Sequence, residues 1–467
     1  MRTNSRAWAR TSLTVLAIVG VIAMIVACGG AAPTAAPPTS APAATSAPAA
    51  TSAPAATTAS GGSGNPVELT FFYPVAVPGP ITQIIDGYIK QFEEQNPNIK
   101  VKPVLSGGYG DTMTKIQTTI KGGGTPPDVA VLLSTDLYSL TDADAIQPLD
   151  EYVKAAGGDS YTSDFQDAFL ANSNSQGHIW SLPFQRSTPV LYYNKDLYKA
   201  AGLDPEKPPT TYQELVDYAK KLTKPDGSQW GIEISSDGIP YWLFQSFVIG
   251  NGGNVVTPGV ANKVNFNGPD VVSALEDQAA LALTEKVEPP GILAWANMPT
   301  DFVNGKTAMI YHSSGSLANI LKQAKFPVGV SFPVGEKGYG APTGGGNLYM
   351  LKNIPADHQD AAWKFIQFMT SPEIQADWSK NTGYIASRKS AYDTQLMKDY
   401  IAQTPQAAIG RDFLKYAKAE LSTHNNAQVQ KILGDAVQSV LTGKADAKTA
   451  LDNAQKQADE LLAQFPN

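Results

Sequence analysis

Leu182 to Asp196 reads L-P-F-Q-R-S-T-P-V-L-Y-Y-N-K-D, and the way this stretch is partitioned decides the fold. Pro183 and Pro189 lack a backbone N–H and fix φ, so Gln185 to Thr188 is held as extended chain rather than helix. Val190 to Tyr193 follows as an apolar run of strand formers. Asn194 and Asp196 then offer side-chain oxygens to cap a helix to Ala201, which Gly202 can close. The stretch therefore joins a turn, a polar cluster, a buried strand and a helix start. We read it as a crossing point between two lobes.

The same logic extends outward from it. Upstream, the alternating strand Val67–Phe71 leads to a helix with Ile81, Ile84, Ile85, Tyr88, Ile89 and Phe92 at helical spacing. Asn96-Pro97 stops that helix before a strand at Ile99–Val104. A helix through Met113, Ile116 and Ile120 then precedes the apolar strand Val129–Leu133. Downstream, Thr211 and Glu214 form a capping-box signature for the helix through Leu215, Tyr218 and Leu222. Pro269 opens a helix to Lys286, and Thr307–Tyr311 is a strand. Ala356–Met369 and three helical segments between about Thr394 and Phe465 complete the chain. Short apolar strands alternating with amphipathic helices predict sheets covered on both faces. About 400 residues of this pattern exceed what one core organises. Two α/β lobes follow.

Leu182 through T-P-V-L-Y-Y-N-K-D-L-Y-K-A-A-G-L-D-P to T-Y-Q-E-L at Thr211 resembles the family of extracellular solute-binding proteins that feed ABC importers, and within it the glycerol-3-phosphate-binding branch. F-V-N-G-K-T-A-M at Phe302, S-S-G-S-L-A-N-I at Ser313, T-G-G-G-N-L at Thr343, T-G-Y-I at Thr382 and L-T-G-K at Leu441 extend the resemblance in order across the chain. The resemblance implies a two-lobed periplasmic-binding-protein-like α/β fold of class II. It has three hinge crossings, near Phe184–Thr188, Gly340–Gly345 and Asn381–Ala386. The expected lobes are 66–187 with 345–380, and 188–342 with 383–467.

Before that domain lies a different kind of chain. Arg2, Arg6 and Arg10 precede an uncharged run, Thr11 to Ala27, ending in Ile25-Val26-Ala27-Cys28. This is a secretory signal (1–27) with a lipoprotein cleavage box. A transmembrane anchor would want about 20 apolar residues and no small-residue cleavage site. The only cysteine of the chain stands where the acylated thiol would be, so Cys28 is the expected lipidation site and no intrachain disulfide is expected. Losing Arg2, Arg6 and Arg10 makes the formal net charge of −7 more negative still. Residues 28–65, rich in Ala, Pro, Thr and Ser, with Ser-Ala-Pro-Ala-Ala-Thr repeated at Ser40, Ser46 and Ser52, have too little apolar surface to order. They read as a disordered tether. At ~3.1 Å per residue it would reach on the order of 100 Å. The expected location is the outer face of the cytoplasmic membrane, with a monomeric receptor held by lipid.

Catalytic chemistry finds little support. His178, His312, His358 and His424 lack metal-ligand spacing, and no G-x-S-x-G, H-E-x-x-H or P-loop occurs, so no metal and no cofactor is expected. Gly344-Gly345-Gly346 lacks the lysine of a nucleotide loop, and Asp142 with Asp144 reads as solvated surface. A glycosidase with distant carboxylates and a stalked surface scaffold remain the readings from other classes. The acidic balance speaks against nucleic acid.

From the resemblance, Tyr109, Ser187, Ser313 or Ser314, Gly345 and Tyr384 are implied ligand contacts. Ser134 stands where the branch carries a glutamate. A tryptophan-bearing loop becomes Ser236 to Tyr241, with Tyr241 or Trp242 as the nearest aromatic, and Gln430 replaces the arginine that grips phosphate, with Lys431 beside it. Phosphate needs multiple charge-assisted donors, which arginine supplies best. Arg186 and His312 could restore a cationic pocket from another side. Sugars and polyols ask instead for aromatic faces and neutral hydrogen-bonding groups. Tyr109, Tyr241, Trp242, Trp295 and Tyr384 are candidate platforms. The expected ligand is a sugar or polyol, with glycerol-3-phosphate or a glycerophosphodiester as the alternative, and the expected partners are the transmembrane subunits of an ABC permease.

Overall fold

The computed structural model describes residues 66–257 and 259–465. The signal, Cys28 and the tether lie outside the described residues. Among the described residues no helix is long and apolar enough to cross a membrane.

Nine strands build two principal sheets: β1 (Val67–Tyr73), β2 (Ile99–Leu105), β3 (Val129–Leu133), β4 (Ser181–Ser187), β5 (Pro189–Asn194), β6 (Glu233–Ile234), β7 (Met309–Ser313), β8 (Val328–Ser331) and β9 (Gly344–Met350). The first sheet runs β2-β1-β3-β9-β4 and the second β8-β5-β7-β6. β1 is parallel to β2 and β3, as the β-α-β reading requires, whereas β9 returns antiparallel between β3 and β4. The helix Ile81–Gln95 buries Ile81, Ile85, Tyr88, Ile89 and Phe92 on the first sheet, where Phe71 and Phe92 each meet Phe365 edge-on at 5.1 Å. Apolar residues recurring at 3.6-residue spacing supply that face.

β4 and β5 belong to different sheets and are separated by Thr188 alone. The polar residues Gln185 to Ser187 are themselves in strand, so the turn expected before β5 shrinks to one residue between two strands. Asn194 caps the next helix as expected, its Oδ1 accepting from the N–H groups of Asp196 and Leu197 at 3.0 and 3.1 Å. The second sheet is covered by Tyr212–Leu222, Pro240–Gly250, Pro269–Leu283, Asn426–Leu441 and Ala447–Leu462, whose side chains share one core with it. Pro240–Gly250 is buried along its whole length and, apart from Gln245 and Ser246, mostly apolar around its circumference. A helix without a polar face carries no amphipathic signal, so periodicity does not mark this segment.

Residues 383–393, expected with the second lobe, bond to the first. Ile385 N donates to Arg186 O at 2.8 Å, Lys389 N to Asp164 O at 2.6 Å, and Ser387 N to Gln375 Oε1 at 2.9 Å. The cause is Arg388, a buried guanidinium lying 4.2 Å over Tyr161 and 3.9 Å over Phe165, with Nε on Thr370 O. Gly383 and Tyr384 also lie against Ser314, Gly315 and Leu317 of the second lobe, and further on Gln406 Nε2 reaches Val328 O at 2.9 Å. The three helical segments expected after Thr394 are four.

Candidate functional site

A cavity of about 610 Å³ opens where the ends of β3, β4, β7 and β9 meet the starts of Pro240–Gly250 and Asn426–Leu441. The first lobe contributes Ala76, Val77, Tyr109, Leu133, Ser187, Gly345 and Tyr384 to its lining. The second contributes Tyr241, Trp242, Trp295, Ser313, Glu420, Gln430 and Lys431, with Asp237, Asp435 and Gln438.

The first wall is positioned by packing. Phe184, Trp378 and Tyr384 stack in series, with centroids 5.1 and 5.6 Å apart, which carries Tyr384 from the core to the cavity edge. Tyr109, at the start of its helix, accepts a hydrogen bond from Gln185 Nε2, and its hydroxyl interacts with that of Tyr384. Burial pushes the Tyr109 and Tyr384 hydroxyls well above the ordinary tyrosine range, so both stay protonated. Gly345 has φ +87°, and a Cβ there would stand 2.1 Å from Gln185 O. A Cβ on Gly344 would stand 2.5 Å from the Trp242 ring. Only glycine lets β9 pass between the first lobe and that indole.

On the second wall, Trp295 lies face to face with His312 at 3.8 Å and meets the Trp242 ring at 6.0 Å and 63°. Trp242 Nε1 donates to Thr343 O at 3.0 Å, and Trp295 Nε1 reaches across to Ala76 O at 3.4 Å. His312 is fully buried, and burial pulls its pKa down to about 3, so the ring under Trp295 is neutral. Glu420 holds Tyr241 Oη at 2.9 Å on Oε1. Its carboxyl is pushed up to about 8 by burial, partly offset by the Tyr241 hydrogen bond and by Arg186. Lys431 pairs with Asp435 at 2.6 Å.

Of the residues picked from sequence, Tyr109, Ser187, Tyr241, Trp242, Ser313, Gly345, Tyr384 and Gln430 line this cavity. Three do not. Ser134 is fully buried off the cavity, with no partner for its hydroxyl. Ser314 is drawn to the first crossing, where its N–H donates to Thr188 O and its Oγ accepts from Thr188 N. Arg186 is fully buried, its Nε on Gly344 O at 2.9 Å and its Nη1 on Asn347 Oδ1 at 2.7 Å. Burial lowers its pKa to about 10, which leaves it charged at neutral pH and set behind the wall. Neither Arg186 nor the neutral His312 presents a cation to the cavity. Gln430, too, is engaged, with its Nε2 on Leu421 O at 3.1 Å and Thr135 Oγ1 at 3.4 Å. Glu420, Asp237 and Gln438 were missed. Each is a lone polar residue in an irregular or helical segment, with no motif to mark it.

The arrangement offers aromatic faces, serine hydroxyls and carboxylates, and it places no nucleophile beside a base. A family described as bacterial extracellular solute-binding protein matches residues 87–406. The chain belongs to this family. As a solute-binding protein it is 31% identical over 408 residues, 83% of this chain and 91% of the relative, to the sn-glycerol-3-phosphate-binding periplasmic protein UgpB of Escherichia coli O6:K15:H31. Its fold is similar to UgpB from Mycobacterium tuberculosis in complex with glycerophosphocholine, with TM-score 0.76, 25% identity, and coverage of 86% of this chain and 99% of that one. It is also similar to a Thermotoga lettingae ABC-transporter solute-binding protein bound with alpha-D-tagatose, with TM-score 0.74, 22% identity, and coverage of 85% and 100%. A solute-binding protein needs a cavity walled from two lobes, so that one ligand touches both. The Tyr109 and Trp295 walls meet that requirement.

Proposed function

We infer that this chain is the lipid-anchored, extracytoplasmic receptor of an ABC importer. It captures a sugar or polyol between its lobes and delivers it to the permease's transmembrane subunits without chemical change. Ligand contacts on both walls favour closure about the crossings, because differential affinity for the closed form is what shifts such an equilibrium. Cys28, with its lipobox, supplies the anchor, and a second acyl group is needed for stable attachment. The observation that carries the ligand class is the cavity lining. Tyr109, Tyr241, Trp242, Trp295 and Tyr384 present ring surface, and the lining cation Lys431 is already paired with Asp435. Phosphate recognition wants unspent guanidinium or ammonium groups.

A second reading, glycerol-3-phosphate or a glycerophosphodiester, is favoured by the names of the relatives. Calorimetric titration of the detergent-solubilised chain with maltose, tagatose, ribitol, glycerol-3-phosphate and glycerophosphocholine separates the two. Micromolar binding of a neutral compound with none of the phosphates supports the first, and the converse overturns it.

A further inference from the structure

Of the three carboxylates on the cavity lining, Asp237 is exposed and turned onto Gly238 N at 2.7 Å, and Asp435 is exposed and paired with Lys431. Glu420 differs from both. It is 3% exposed, Tyr241 fixes its rotamer through Oε1, and Oε2 has no hydrogen-bond partner. The charged groups that act on it are Arg186, from the end of β4, and Asp136, from the turn after β3. Arg186 has Nε and Nη1 committed to Gly344 and Asn347 and stands outside the lining, where its charge acts on Glu420 and Tyr109.

We propose that Glu420 is the specificity-determining residue of the cavity, accepting a hydrogen bond from a ligand hydroxyl and discriminating against a phosphate monoester. The inference rests on the sugar or polyol reading above. A carboxyl has about four lone-pair sites, of which Tyr241 uses one. Because Tyr241 already holds the group, a ligand hydroxyl meets an acceptor whose ordering cost is met in advance. Burial holds the Glu420 carboxyl at about 8, so it is above that pH, once Glu420 is ionised, that a phosphate oxygen, itself an acceptor, finds no donor there and suffers repulsion that weak local screening makes stronger than in water.

The full-length chain and Glu420→Gln are titrated calorimetrically at about pH 9, where Glu420 is ionised, with maltose, tagatose, ribitol and glycerol-3-phosphate, with melting curves as the folding control. The expected result is about ten- to a hundredfold weaker binding of the neutral ligand that the parent protein takes, the range of a hydrogen bond to a charged group. Glycerol-3-phosphate binding should strengthen. Should Glu420→Gln not fold, Glu420→Asp withdraws the oxygens by one methylene and is expected to weaken the neutral ligand in the same direction. Neutral-ligand affinity unchanged in the variant, with glycerol-3-phosphate no tighter, overturns the assignment and leaves the sugar reading intact. A parent protein that binds only glycerol-3-phosphate overturns that reading first, and this inference with it.

Discussion

The two walls of the cavity are built on different terms. On the first, β9 threads between β4 and the Trp242 ring with no room for a Cβ at Gly344 or Gly345, and Tyr384 is held by a stack that begins in the core. On the second, Gln430, Lys431 and Asp435 project from one face of a helix, and Trp295 sits on a short turn with part of its ring exposed. One wall is constrained by backbone geometry, the other by side-chain choice. The difference separates the part of the site that belongs to the fold from the part that can select a ligand.

The largest expected effect tests the rigid wall. Gly345→Ala forces a side chain into the left-handed region at φ +87° and into Gln185 O. The expected cost is on the order of 3 kcal/mol or more, since the clash is with backbone that cannot rotate away. Chemical denaturation reads it. A loss below about 1 kcal/mol would show that β9 can shift, and that the first wall is no more fixed than the second.

Next comes a pH dependence seated at the junction of the walls. Glu420 is raised from 4.5 to about 8, Asp136 from 3.8 to about 7, and Glu233, on the second sheet, from 4.5 to about 7, each mainly by burial. An acid held protonated in the folded state contributes stability that is full below its ordinary value and is lost as pH rises to its folded value. His312, lowered from 6.5 to about 3, works in the opposite sense, and its contribution is lost as pH falls from 6.5 toward 3. The groups acting on Glu420 are Tyr241, Arg186 and Asp136; backbone Leu133 acts on Asp136, and Asp301 and Lys306 on Glu233. Melting temperature without ligand should therefore fall from about pH 6 to 8. Glu420→Gln should flatten that limb and leave the acid limb, owed to His312, in place. An alkaline limb as steep in the variant as in the parent would remove Glu420 from the account.

Much of the first wall was legible because its constraints are local. Pro183 and Pro189 announce the chain between the lobes, and the glycine run at Gly344 announces close backbone approach. The capping at Asn194 follows from one side chain and its next neighbours. The second wall was legible only where aromatic residues stand out. Glu420 lies in Ala417–Ser422 without periodicity, and its burial comes from Tyr241 and Arg186, both more than 100 residues away in sequence. The same cause explains the misplacement of residues 383–393. Arg388 reads as a surface cation until Tyr161 and Phe165 are seen to enclose it. Arg186 is the converse, a cation beside the cavity in sequence that folding places behind the wall.

Trp295→Ala probes the adaptable wall itself. Its indole rests on neutral His312 at 3.8 Å and is only partly buried, so truncation removes ring surface from the cavity while opening little of the core. About tenfold weaker ligand binding is expected, with a small change in melting temperature. If stability falls as far as binding, Trp295 is a packing residue like those of the first wall, and the contrast between the walls loses its clearest side chain.

The smallest effect is expected where the walls touch beyond the ligand. His424 Nδ1 meets Asp142 Oδ2 at 2.8 Å, joining the loop before Asn426–Leu441 to the short helix after β3. The imidazole is stacked at 4.4 Å on Phe465, which fixes its ring, while Ser422 Oγ on Thr135 O at 2.9 Å ties the same two segments nearby. The carboxylate side chain is 32% exposed, so solvent screens much of the attraction. Asp142→Asn keeps a hydrogen-bond acceptor and removes the charge. It should therefore lower stability by about 1 kcal/mol or less, and the difference should shrink further in high salt. Affinity for the ligand should weaken by no more than about fivefold, because the pair can act only on the balance between open and closed forms and touches no cavity atom. A loss as large as that of Trp295→Ala would mean that lobe contact, rather than the aromatic wall, dominates retention of the ligand.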